Sequence, residues 1–129
     1  MRLLLDTHAL VWAMSADRRL PAAISRLILD PQNDVFYSVV SIFETAVKRS
    51  SGRRGAPALS AARMSELAEA AGYSRLDITP AHAIAVETLA PFHPDPFDKL
   101  LLAQAQVEGL RLVTHDAELA SYDRSIILF

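Results

Sequence analysis

Cysteine is absent from the 129 residues, so the chain has no disulfide, no thiolate metal site and no thiol nucleophile. Glycine is scarce. Gly52, Gly55, Gly72 and Gly109 sit in neither a GxxxxGK phosphate loop nor a GxGxxG dinucleotide turn, and a G-x-S-x-G nucleophile elbow is missing. These absences set aside nucleotide-driven and covalent mechanisms. Excess positive charge is lacking too: 13 Lys and Arg against 15 Asp and Glu give a net charge of −2 and a pI near 6.0. The usual basic footprint of a nucleic-acid binder is therefore missing, and any such contact must be local or metal-mediated. Long apolar runs are absent as well. Asp6 and His8 interrupt the N-terminal apolar segment, which is too short to span a bilayer and reads as a mature strand rather than a secretory signal. A reduced, cytoplasmic protein without a membrane partner is the expectation.

What the chain does have is a 51% apolar share with 22% charged residues, ordinary for one compact domain over residues 1–129. Leu3 to Leu5 form a continuous apolar run, the pattern of a strand buried on both faces, and Thr7 to Met14 follow as a short helix. Pro21 opens a second helix that Asp30 and Pro31 stop, and Val35 to Val40 is the second strand. Ser41 reads as the N-cap of a helix to Lys48, and after the Gly-containing loop Ser60 caps a partner helix, making a helical hairpin. Ser74 to Ile78 gives a short strand, and Thr79 with Pro80 opens a helix ending near Ala90 and Pro91. Asp95 and Pro96 open an apolar helix stopped by Gly109, then come a strand over Leu110 to Thr114, a short helix over Asp116 to Ser121 and a last strand over Ile126 to Phe129. The alternation predicts a three-layer α/β/α domain around a mainly parallel sheet.

Asp6, Glu44, Asp98 and Asp116 each follow an apolar run and stand at the entrance to a helical pattern. Singly, each has a structural explanation: Asp6 and Asp116 as N-caps, Glu44 in a capping box with Ser41, Asp98 in a similar box with Asp95. Together they point elsewhere, because an open α/β sheet draws its strand-to-helix junctions toward one edge. Two unit charges about 4 Å apart repel by about 4 kcal/mol at an effective dielectric near 20, a large share of a total stability of about 5–15 kcal/mol. A divalent cation relieves that repulsion most directly, and oxygen-only ligands favour Mg²⁺ or Mn²⁺. Such a site suits phosphodiester hydrolysis.

The segments LLLDTHALVW, SIFETAVK, HPDPFDKLLLAQA and LVTHDAELASYD, in this order, resemble PIN-domain ribonucleases, in particular the VapC toxins of prokaryotic toxin-antitoxin pairs. The resemblance spans nearly the whole chain. It implies a compact α/β/α fold and a Mg²⁺- or Mn²⁺-dependent endoribonuclease, usually a homodimer, held in check by a cognate antitoxin protein. Asp6, Glu44 and Asp98 match the three principal acids and Asp116 the fourth. Thr7 and Thr114 lie beside matched acids, where their hydroxyls orient carboxylates or waters.

Other residues have competing readings. Asp95 is a candidate fifth acid, with helix capping the better explanation, and Glu118 serves its helix N-terminus. Lys48, Arg49, Arg53 and Arg54 form the one local basic cluster, and with Lys99 they are candidate RNA-phosphate contacts, though a solvated loop explains the cluster equally well. His8, His93 and His115 flank the acid motifs and raise a rival, a His/carboxylate metallophosphohydrolase, while His82 belongs to a helix away from the site. Trp12, Phe43 and Phe97 read as core or interface residues. A PIN-like scaffold that binds RNA or protein without cutting is the remaining alternative.

Overall fold

The computed structural model describes residues 1–52, 54–89 and 92–129. Five strands form one sheet: β1 (Arg2–Leu5), β2 (Asp34–Ser38), β3 (Ser74–Leu76), β4 (Arg111–Thr114) and β5 (Ile127–Leu128). Their order is β3-β2-β1-β4-β5, and every pairing is parallel. The helices are α1 (Thr7–Met14), α2 (Ala22–Leu29), α3 (Val39–Ser50), α4 (Ala61–Ala70), α5 (Pro80–Ala85), α6 (Pro96–Glu108) and α7 (Ala117–Ala120).

Parallel strands need crossovers, and the helices that supply them cover both sheet faces. The leucine run of β1 shows the consequence. Leu3 and Leu5 point into a core with Ala9, Leu10, Ile24, Ile28 and Met64 from α1, α2 and α4, whereas Leu4 points the other way, into a core with Leu101, Leu102, Ala105 and Leu119 from α6 and α7. A continuous rather than alternating apolar run is what this two-sided burial demands. The chain winds from β1 outward to β3 in one direction and resumes at β4 on the other side of β1. The reversal leaves a crevice at the carboxyl ends of β1 and β4, where open α/β sheets place their ligands.

Capping chemistry sets most helix ends as expected. Ser60, Thr79, Asp95 and Asp116 all accept hydrogen bonds from first-turn amides, and Gly109 ends α6 with φ of 66°. Pro21 stands at the N-cap of α2, one residue outside the helix. The larger correction concerns α3, which begins at Val39 with Ser38 as its cap through the Val40 amide, not at Ser41. Strand β2 stops at Ser38, its last pair with Leu76 of β3, and Val40 turns into the core beside Leu4. Glu44 accordingly lies in the second turn of α3, outside any capping box. The box expected at Asp95 is also one-sided: Asp95 accepts from the amides of Phe97 and Asp98, but its own amide donates to His93 Nδ1. Helix α5 ends at Ala85, earlier than the sequence suggests, and Ala90 and Pro91 lie outside the described residues.

Helices α3 and α4 form the helical hairpin, joined in the core by the Thr45 hydroxyl donating to Met64 Sδ at 3.8 Å. No helix among the described residues is long and apolar enough to cross a membrane.

Candidate active site

Asp6 leaves the carboxyl end of β1 and caps α1: Oδ1 accepts the Ala9 amide at 2.8 Å, and Oδ2 accepts the Thr114 hydroxyl at 2.6 Å. Thr114 ends β4 and in turn accepts the Asp116 amide at 3.1 Å, so one hydroxyl ties the Asp6 and Asp116 segments together. Glu44, buried on α3, receives the Thr7 hydroxyl at 2.6 Å on Oε1 and the Lys48 ammonium on Oε2. Thr7 Oγ1 also lies 3.0 Å from Ser41 Oγ, which fixes α1 against α3. Both threonines therefore orient a neighbouring carboxylate.

Asp98, in the first turn of α6, is different. Among the described residues no hydrogen-bond donor reaches its carboxylate, and the nearest basic atom is His93 Nε2 at 3.9 Å from Oδ2. Burial, reinforced by the charges of Asp95, Asp6 and Glu44, pushes this carboxyl up to about 7. Burial also raises Asp6, against its hydrogen bond from Thr114. Lys48 is held above its usual range: burial opposes this, but the Glu44 hydrogen bond and charge prevail, with Asp95 and Asp98 adding to them.

His93, almost fully buried, is the residue whose place the sequence did not give. Its Nδ1 accepts the Asp95 amide at 3.2 Å, so the ring proton sits on Nε2, which donates to Asp116 Oδ2 at 2.9 Å. Despite partial burial, that hydrogen bond holds the Asp116 carboxyl below its usual range. Asp116 also caps α7, with Oδ1 accepting the amides of Glu118 and Leu119. Ligating atoms of His93, Asp98 and Asp116 lie within 4.8 Å of one another. Because the His93 lone pair faces the Asp95 amide, the donors left for a cation are oxygens. His8 and His115 belong instead to an aromatic group with Trp12 and Phe129, and His82 is buried on α5 against α6.

Two members of the basic cluster are already committed. Lys48 pairs with Glu44, and the Arg49 guanidinium donates to the carbonyls of Pro57 and Ala58, bracing the loop after α3. Arg54 is exposed, Lys99 is half-buried beside Asp98, and Arg53 lies outside the described residues. Phe43 is 57% exposed, with its ring 5.9 Å from the half-buried Phe97.

Oxygen donors crowded without enough counter-charge are the condition a hard divalent cation relieves. The sign of its pH dependence is fixed. A carboxyl raised in the folded state binds its proton more tightly there than in the unfolded chain, so its stabilising effect is full at low pH and is lost as pH rises toward 7. In chelator, the protein should melt a few degrees lower near pH 8 than near pH 5 on account of Asp98, about 1–2 kcal/mol after allowance for solvent screening. Thermal melts should show Mn²⁺ closing that gap, and Asp98→Asn removing most of it.

Comparison with known proteins identifies the family. The family model for the PIN domain matches residues 3–125. Ribonuclease VapC22 of Mycobacterium tuberculosis is 34% identical over 122 residues, covering 92% of this chain and 90% of its own. VapBC2 from Rickettsia felis, solved bound to a DNA fragment from its promoter, superimposes with a TM-score of 0.67 at 16% identity, covering 100% of this chain and 98% of that one. A toxin-antitoxin complex from Klebsiella pneumoniae gives 0.64 at 20% identity, with 97% and 95% covered. At such identities the two structures speak for the fold, and the family model and the VapC relative carry the assignment. The chain belongs to the PIN-domain family.

Proposed function

We propose that this protein is a Mg²⁺- or Mn²⁺-dependent endoribonuclease, the toxin of a toxin-antitoxin pair. The observation that carries the reading is Asp98, a half-buried carboxylate with no hydrogen-bond donor among the described residues and surrounded by the charges of Asp95, Asp6 and Glu44. The fold and the VapC relative supply the reaction class.

Asp6, Glu44 and Asp98 would hold the cation, with Asp116 joining directly or through water. When bound, the cation supplies charge neutralisation at the scissile phosphate and acidity to a nearby water. The chain's own groups do the rest. Thr114 and the Ala9 amide fix Asp6, Thr7 and Lys48 fix Glu44, and His93 fixes Asp116, so the carboxylates need little reorganisation. One carboxylate of the set takes the proton from the attacking water. The amide-facing Nδ1 of His93, its lone pair already engaged, argues against the His/carboxylate alternative.

Purified protein should cleave RNA with Mg²⁺ or Mn²⁺, lose cleavage in chelator and regain it on re-addition. A short reading frame should lie beside the gene, and its protein product should co-purify with this chain and suppress cleavage, as expected of an antitoxin. Cleavage that persists in chelator would remove the metal from the mechanism. Absence of cleavage on varied RNAs with either ion would favour a non-cutting binding module.

A further inference from the structure

Beside the carboxylates lies a cavity of about 240 Å³, walled by α1, the turn carrying Arg19, α3 and the loop after it. We propose that it is a nucleobase pocket, receiving the base of the nucleotide next to the scissile phosphate, with His8 as its stacking surface. The inference rests on the RNA-cleaving reading above and extends it to substrate selection.

Position is the first argument. Thr7 and Glu44 line the cavity and also belong to the carboxylate cluster, so a phosphodiester held at the acids places an adjoining base at the cavity mouth. Size is the second. The volume falls below the roughly 300–1,000 Å³ of sites for drug-sized ligands, which suits one ring system and excludes several stacked nucleotides.

Ring chemistry is the third. His8 is exposed in the first turn of α1, its ring centroid 5.6 Å from Trp12 and 6.5 Å from His115. Trp12 is itself backed by His115 at 5.1 Å and Phe129 at 6.0 Å, and the Arg19 guanidinium lies 4.7 Å from its ring centroid. Trp12 is thus a buried support, and His8 is the ring it presents to the cavity. A ring fixed in this way stacks on a base with little loss of side-chain freedom.

Charge is the fourth. The cations on the wall are already paired, Lys48 with Glu44 and Arg19 with Asp17, so the cavity is poorly suited to a phosphate and better suited to a neutral flat group. Ser15, whose hydroxyl proton goes to the Val11 carbonyl at 2.6 Å, leaves an oxygen free to accept from a base edge.

The test is cleavage of a random-sequence RNA pool with Mg²⁺, with product ends sequenced, by the unaltered protein, His8→Ala and His8→Phe. The unaltered protein should prefer particular bases at one position flanking the cut. His8→Ala should flatten that preference and raise KM on the preferred substrate about tenfold, while His8→Phe, which keeps a ring, should restore most of it. An RNA abasic at that position should be cleaved with similar KM by all three. A far-UV circular dichroism spectrum and melting temperature matching those of the unaltered protein certify the fold of each variant. A preference that survives His8→Ala overturns the proposal. So does an unchanged preference with weakened binding of the antitoxin, which would give the cavity to a protein partner. Failure of the unaltered protein to cleave any RNA defeats the functional reading itself, and the pocket with it.

Discussion

Asp98→Asn should lower RNA cleavage by at least about a hundredfold while leaving the folded protein equally or more stable near pH 8. Asparagine keeps the shape of the side chain and removes the one carboxylate that no described donor stabilises and that Asp95, Asp6 and Glu44 all oppose. No hydrogen bond among the described residues is lost with it, and the attraction forfeited to the α6 N-terminus and to Lys48 is outweighed by the burial and repulsion relieved. Opposite movement of activity and stability is the mark of a residue whose unfavourable charge exists for a ligand. Steady-state kinetics with saturating Mn²⁺, paired with thermal melts in chelator, would show it. A variant that still cleaves RNA, or one that loses activity only because it unfolds, would place the reacting centre elsewhere.

The second large effect lies away from the carboxylates. His82→Ala should cost about 2–4 kcal/mol and lower the melting temperature by roughly 10 °C. His82 is fully buried between α5 and α6, and both ring nitrogens are used. Nδ1 accepts the Thr79 amide at 3.0 Å and lies 3.3 Å from Gln104 Nε2, while Nε2 donates to Glu108 at 2.9 Å. Gln104 Oε1 in turn accepts the hydroxyl of Ser38, the cap of α3. Removing the imidazole opens a cavity and strips partners from a connected polar network, and such networks are costly when half satisfied. Urea titration measures the loss. Well below the melting transition the variant should still cleave RNA, because among the described residues His82 makes no hydrogen bond to Asp6, Glu44, Asp98 or Asp116. A loss under about 1 kcal/mol would mean that water replaces the ring without penalty.

The strand-to-helix alternation was legible because two-sided burial writes itself into β1 as an unbroken apolar run, and because the proline and Asx caps have few other uses. The start of α3 was not. Val39 and Val40 prolong a β-branched run, and only the tertiary packing of Val40 and the pairing of Ser38 with Leu76 decide where the strand gives way. The four acids stood out as a group in the sequence because each follows an apolar run near a helix start, but Glu44 lies a full turn inside α3 rather than at the junction itself. Their partners stood out less. The i, i+4 spacing of Glu44 and Lys48 was a signal for the ion pair that makes Lys48 a poor free RNA contact. His93 gave no such signal: its hydrogen bond to Asp116 spans 23 positions and exists only once the fold brings the segment before α6 to the cap of α7. The resemblance to PIN-domain ribonucleases named the family before any contact was known, and the match over residues 3–125 bears it out.

Crystals soaked in Mn²⁺ and measured at its absorption edge would test the central claim most directly. Anomalous density should lie within bonding distance of the Asp98 carboxylate and toward Asp6 and Glu44, and should vanish in Asp98→Asn. Density seated on a histidine nitrogen, or none among these acids in a folded, RNA-cleaving protein, would contradict the account.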